Sequence, residues 1–147
     1  MNPVTRQRDP FRWDGIELEP YKREGTHFRD VSRQVLFGAE AGLACELRYF
    51  EVDCGGHSTL ERHEHVHAIV ILRGAGRVLV GAQIYDVAPF DLVRVPPQTW
   101  HQLRADPEHP LGFLCLVDAE RDAPSRPTEE QLEALRSTPE LAAFIRA

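Results

Sequence analysis

Residues 55–76 run GGHSTLERHEHVHAIVILRGAG, and their pattern changes character halfway. Four histidines and two glutamates fall within the eleven residues His57 to His67, followed at once by the apolar run Ala68-Ile69-Val70-Ile71-Leu72. In an extended strand, residues two apart share a face. Glu61, His63, His65 and His67 therefore have one parity. His67 opens the apolar strand, while Glu61 and His63 belong to the segment leaving Gly55-Gly56. A turn near His65 would bring Glu61 and His63 from one strand against His67 from its neighbour.

Outward from this stretch, short apolar runs recur between turn residues. They include RDVSRQVLFG, ACELRYFEVD, GRVLVG, QIYDVAPF, DLVRVPPQ, HQLRAD and LGFLCLVD. Val, Ile, Leu and aromatics fill them, and Gly, Pro or Asp stands at most junctions. With no helical period between them, they predict an all-β sandwich or small barrel. The character changes after Asp118. AERDAPSRP, residues 119–127, has the composition of a linker. Thr128-Glu129-Glu130-Gln131 then fits a capping box, and Thr138-Pro139 starts a second short helix. Leu132 and Leu135, then Leu141, Phe144 and Ile145, give the two helices apolar faces. A DNA-reading pair is not expected from a segment this short and acidic.

The chain has 147 residues, suited to one domain, and a formal net charge of -6. That balance argues against nucleic acid or an anionic membrane as partner. No apolar run approaches a membrane span, and MNPVTRQRDPFRWDG lacks an apolar signal core. Cys45, Cys54 and Cys115 cannot all pair within one chain and lack zinc-type spacing, so free thiols in the cytoplasm are expected. Cys45 and Cys115 fall in strand patterns and read as core.

The two histidine-bearing segments carry a resemblance. Gly55-x5-Glu61-x-His63-x3-His67-x6-Gly74 resembles the first motif of the cupin family, G-x5-H-x-H-x3,4-E-x6-G. Phe90-x5-Pro96-x-Gln98-x2-His101-x3-Ala105 resembles the second, G-x5-P-x-G-x2-H-x3-N, keeping its Pro and His. Glu stands where the first motif has its first His, and His67 where it has Glu, a permuted set of three imidazoles and one carboxylate. The resemblance covers Val31 to Val117. It implies a cupin-type antiparallel β-barrel (double-stranded β-helix or jelly roll) with the two C-terminal helices appended. The barrel is expected over about residues 28–118, after an N-terminal strand extension (1–27) and before the helical tail (124–147), as a single cupin domain. It also implies a divalent transition metal held by Glu61, His63, His67 and His101, iron first, with Mn, Ni, Co, Cu and Zn open. A second register would use His63, His65 and His101. His65 is thus a reserve ligand. His57 either hydrogen-bonds a ligand or lies in an exposed turn.

Inward orientation of His67 would carry Ile69 and Ile71 inward, and His101 would carry Leu103, giving the metal an apolar wall. The strand CELRYFEVD leaves its phase open: either Arg48 faces in or Tyr49 does, and ordinary burial preferences make Arg48 an exposed edge charge. Trp100 either flanks the mouth or packs at a turn. His27 and His109 sit in loop-like sequence and are expected at the surface. The resemblance implies a non-haem metal dioxygenase acting on a small organic molecule. The same site would also serve a metal-dependent isomerase or lyase, a non-catalytic sensor, or a purely structural ion. A homodimer with barrels packed sheet to sheet is also implied, with Ile16–Tyr21 and Val31–Phe37 as the strands to pair across it.

Overall fold

A computed structural model describes residues 3–147; Met1 and Asn2 of the expected N-terminal extension lie outside the described residues. The elements are β1 (Gln7–Asp9), β2 (Arg12–Trp13), β3 (Glu19–Pro20), β4 (Arg29–Phe37), β5 (Cys45–His57), β6 (His67–Gly74), β7 (Gly76–Val80), β8 (Gln83–Val87), β9 (Leu92–Val95), β10 (His101–Ala105), β11 (Leu111–Asp118), α1 (Glu129–Leu135) and α2 (Pro139–Phe144). The fold is mostly β, a curled antiparallel half-barrel with two short C-terminal helices. Its main sheet runs β8-β7-β10-β5-β11-β6-β9, and β4 adds to β5 with β3 beside it. No helix among the described residues is long and apolar enough to cross a membrane.

Strand β5 makes the curl. Its first part pairs with β11 from Cys45 to Val52, whereas its last residue, His57, pairs with Arg104 of β10. Gly55 lies between them at φ +71°, a conformation that Cβ-bearing residues rarely adopt. Gly74, at the far end of the first motif, is required for a second reason: a Cβ there would lie 1.6 Å from the Pro110 carbonyl oxygen.

Cross-strand register sorts the faces. Arg48 stands opposite Val35 and Cys115, and Cys115 opposite Ile69, so these side chains share the inner face. Phe50 is aligned with Phe113, and their rings stack at 5.4 Å. Tyr49 therefore points out, onto Phe11 (5.4 Å, stacked) and Trp13 (5.5 Å, edge-on) of the N-terminal hairpin. That hairpin buries the outer face, which is why alternation fails at Tyr49-Phe50: both sides of the strand are dry.

Three expectations need correction. The strand Ile16–Tyr21 shrinks to Glu19–Pro20, since Pro20 has no N–H for a ladder. Residues 119–127 are pinned to the barrel rather than free. Arg62 and Ser125 exchange backbone hydrogen bonds, and the Asp122 carboxylate accepts from the Glu64 and His65 amides. Arg48 is buried, not an edge charge, being 8 % exposed.

The helices begin as their sequence dictates, with a complete capping box at Thr128/Gln131 and the Thr138 hydroxyl accepting from Leu141 N–H. Leu141, Phe144 and Ile145 pack against Leu60 and Leu79 in a second apolar cluster. Gln102, fully buried, clamps the tail by donating to the Arg146 carbonyl and accepting from the Arg146 amide.

Phe90 and Gln98 replace the glycines of the second motif yet keep the left-handed backbone, at φ +75° and +53°. For a residue with a Cβ this costs about 1–2 kcal/mol. Phe90 is 80 % exposed, so glycine there gives up little burial. Phe90→Gly should raise stability by about 1 kcal/mol and the melting temperature by about 2–4 °C. A lower melting temperature would show that the ring is held by contacts this geometry does not contain.

Candidate metal centre

Gly55 turns the chain, and Ser58 to Leu60 carry it along β10. Glu61 and His101 then exchange both backbone hydrogen bonds, at 3.3 and 3.1 Å, so their side chains lie on one face. His63 follows in the loop, and the Gln98 amide donates to its carbonyl at 2.7 Å, tying the second motif to the first. His67 opens β6. The outcome is that one ligand atom from each of His63, His67 and His101 lies within 4.8 Å of the other two.

The hydrogen bonds of these rings set which nitrogen faces the centre. Nδ1 of His63 lies 2.8 Å from the His65 carbonyl, and Nδ1 of His101 lies 3.0 Å from the Thr99 carbonyl. A carbonyl only accepts, so both Nδ1 atoms carry the hydrogen and both Nε2 atoms keep a lone pair. His67 places Nδ1 2.8 Å from Cys115 Sγ and Nε2 2.8 Å from His63 Nε2. Lone pairs brought this close are what a cation needs, so the residues fit a divalent metal.

Burial keeps these groups neutral. Desolvation is the leading cause in each case, followed for His63 and His67 by the neighbouring His101; it lowers His63 to about 4 and His67 to about 2, and pushes His101 down as well. Neutral imidazole is the form that ligates. The same shifts predict a stability profile for metal-free protein. An unfolded histidine takes up its proton near pH 6.5, whereas folded His63 stays neutral to about 4. Unfolding in that window therefore binds protons, and stability falls as pH drops from about 6.5. The slope should be about 1.4 kcal/mol per pH unit for each histidine held neutral. Urea midpoints measured from pH 7 to 5 check this; midpoints independent of pH would contradict it.

A cavity of about 220 Å³ opens beside the cluster, with His67 and His101 on its wall, room for one small molecule. Ile69 and Leu103, expected on its wall, are there, as are Arg48 and His65. His65 stacks on His63 at 3.6 Å with its Nδ1 on Asp122 at 2.8 Å, outside the group of three. Glu61 also lines the cavity, but its carboxylate accepts from Lys22 Nζ at 2.7 Å. Other expectations fall away from the cavity. Ile71 packs in the core one row below, opposite Phe113. Tyr49 lies on the outer face, and Trp100 packs with the helices beneath the Arg62 guanidinium. His57 ends β5 with Nδ1 3.0 Å from the Ser58 carbonyl. His27 is half-buried rather than at the surface, its Nδ1 2.8 Å from the Thr59 hydroxyl.

Sequence reasoning missed Cys115, placed in the core. It is on the cavity wall, in contact with His67 and with Arg48 Nη2 at 3.5 Å. It also missed Tyr21, Lys22, Arg33, Arg121 and Asp122, which reach the cavity from the N-terminal segment, β4 and the pinned strap of residues 119–127. No local pattern marks these residues.

Residues 48–117 match the cupin domain family. A relative from Rhodospirillum rubrum is 54 % identical over 144 residues, which cover 97 % of this chain and 92 % of the relative. This chain is a cupin. That relative is named 1-methylthio-D-xylulose 5-phosphate methylsulfurylase. A crystal structure of a cupin 2 conserved barrel domain protein from Rhodopseudomonas palustris is 55 % identical, covers 98 % of this cupin and 99 % of that chain, and superposes with a TM-score of 0.92. A cupin 2 domain-containing protein from Halorhodospira halophila is 41 % identical over 97 % of this cupin and 94 % of its own chain, with a TM-score of 0.76.

Proposed function

We propose that this cupin is a metal-dependent enzyme that removes the methylthio group from a 1-methylthio-pentulose 5-phosphate. The observation that carries the reading is a thiol, Cys115, on the cavity wall 2.8 Å from a ring of the imidazole cluster, in a chain 54 % identical to a protein named for that substrate. His63, His67 and His101 would hold the ion, with Glu61 on the same wall as the carboxylate donor. A divalent ion supplies Lewis-acid polarisation of a substrate oxygen.

The methylthio sulfur of such a substrate sits on a carbon next to a ketone. That carbon can leave as an enolate, provided something accepts the sulfur. Cys115 is the acceptor in this reading. Its Sγ attacks the methylthio sulfur, a sulfur–sulfur bond forms, and the carbon–sulfur bond breaks with its electron pair passing into the enolate. Carbon 1 then takes a proton. The Tyr21 hydroxyl, which burial and Glu61 keep protonated, delivers it and is reprotonated by the proton that the Cys115 thiol gives up on attack, so no proton is gained or lost. The sugar carbon is reduced and Cys115 is oxidised to a methyl disulfide. A small external thiol then attacks that disulfide, leaves as a mixed methyl disulfide and returns Cys115 to the thiol. Arg48 contacts the cysteine sulfur, while Phe50, Ile69, Leu103 and Phe113 keep water from it.

Metal-loaded protein mixed with 1-methylthio-D-xylulose 5-phosphate and a small thiol should yield the 1-deoxy sugar phosphate and a methyl disulfide, read by mass spectrometry. Oxygen uptake and an oxygenated product would favour the dioxygenase implied by the resemblance. Tight binding without turnover would favour a sensor.

A further inference from the structure

The cavity is more cationic than the chain. Lys22, Arg33, Arg48 and Arg121 line it against Glu61 and Asp122, in a protein whose net charge is -6. Lys22 is held by Glu61 at 2.7 Å and Arg33 by Glu19 at 2.6 Å, while the Asp122 carboxylate accepts from His65 Nδ1 and from the Glu64 and His65 amides. One corner is different. Glu46 Oε1 is shared between Arg48 Nε at 3.5 Å and Arg121 Nη2 at 3.3 Å. Two guanidiniums divide one carboxylate, leaving a surplus positive charge.

Arg48 is the unusual member. Its side chain is 9 % exposed, and its Nε has no hydrogen-bond partner among the described residues; the Glu46 oxygen is near enough for charge attraction but makes no hydrogen bond. Its Nη2 reaches the Cys115 sulfur, at 3.5 Å, and its Cζ lies 4.9 Å from the Phe50 ring centre. A buried cation with an idle N–H is costly unless an acceptor completes it. Arg121 stands at the rim, its side chain 24 % exposed, on the strap that Asp122 pins to His65.

We infer that the Arg48–Glu46–Arg121 corner is the anion subsite of the cavity and receives the phosphate of the sugar substrate. The inference rests on the proposed function for the word sugar; the anion chemistry stands on the corner itself. Paired guanidinium forks suit phosphate oxygens, and the positive charge that Glu46 leaves unmatched favours an anion at this corner. The substrate then spans the cavity. Its methylthio end meets Cys115, beside one end of the Arg48 guanidinium, and its phosphate reaches the rim at Arg121. The strap, which has no part in the metal cluster, thereby supplies a specificity residue.

Calorimetric titration of metal-free protein with ribose 5-phosphate, ribose and inorganic phosphate tests this without turnover. Wild-type protein should prefer ribose 5-phosphate over ribose by about 10- to 100-fold, the range for charge-assisted hydrogen bonds. Arg121→Gln should abolish most of that preference. Glu46→Gln should have the opposite effect, tightening phosphate several-fold by removing the competing carboxylate, which a merely structural role for Glu46 would not do. An unchanged preference in Arg121→Gln, or weaker phosphate binding in Glu46→Gln, would overturn the assignment. If phosphate binding follows these variants but the methylthio sugar is never turned over, the corner stands and the proposed reaction falls. Turnover with a KM indifferent to Arg121→Gln would do the reverse.

Discussion

Replacing His101 with alanine should lower divalent-metal affinity by about 100-fold or more. Second-sphere partners of metal ligands already cost 10- to 100-fold, and a direct donor should exceed them. The reason is geometric. His101 comes from the second motif, yet its ligand nitrogen lies within 4.8 Å of those of His63 and His67, and the Thr99 carbonyl fixes its tautomer. His63→Ala and His67→Ala should act alike. His65→Ala should cost about 10-fold or less, because that ring is spent on Asp122 and on stacking against His63. Glu61→Ala should also reduce metal content, through loss of the carboxylate on the cavity wall. Elemental analysis of folded variants, with circular dichroism as the control, distinguishes these cases. Equal loss from His65→Ala together with no loss from Glu61→Ala would reverse the assignment and favour the other register.

The second large effect concerns Cys115. Cys115→Ser should abolish release of the methylthio group, a loss of about 10³-fold or more, as expected when a nucleophile is removed. Metal content should stay near the wild-type level, since the serine oxygen keeps a hydrogen-bond acceptor at the Nδ1 edge of His67 and leaves the edge that faces His63 untouched. Trapping tests the same point. Without the external thiol, one equivalent of substrate should leave a methylthio adduct of about 46 Da on the wild-type chain and none on Cys115→Ser, in keeping with a covalent intermediate. Full turnover by Cys115→Ser would remove Cys115 from the mechanism while leaving the metal cluster untouched.

What the sequence disclosed, and what it hid, follows from locality. The cupin barrel was legible because strand period, glycine turns and motif spacing are short-range signals. Gly55 and Gly74 do mark positive-φ backbone, and Thr128 and Thr138 do cap the helices. His63, His67 and His101 were legible because two motifs at a fixed separation imply convergence. Wall residues were harder. Arg48 looked like an edge charge, since nothing nearby announces that β4, β10 and β11 all pair with its strand. Cys115 looked like core, and it is buried; its contact with His67 depends on a register spanning 48 residues. Tyr49 is buried and Trp100 half-buried, as expected of aromatics, but against the N-terminal hairpin and the C-terminal helices. Lys22 and Arg121 belong to segments that composition marks as irregular, and only the folded chain lays them over the mouth.

The central claim is that three imidazoles far apart in sequence hold one ion. It is tested most directly by soaking crystals in manganese or iron and recording anomalous scattering. The claim predicts a single peak per chain, in contact with the Nε2 atoms of His63, His67 and His101. No peak there, or an ion bound only by His65 and Asp122, would contradict it.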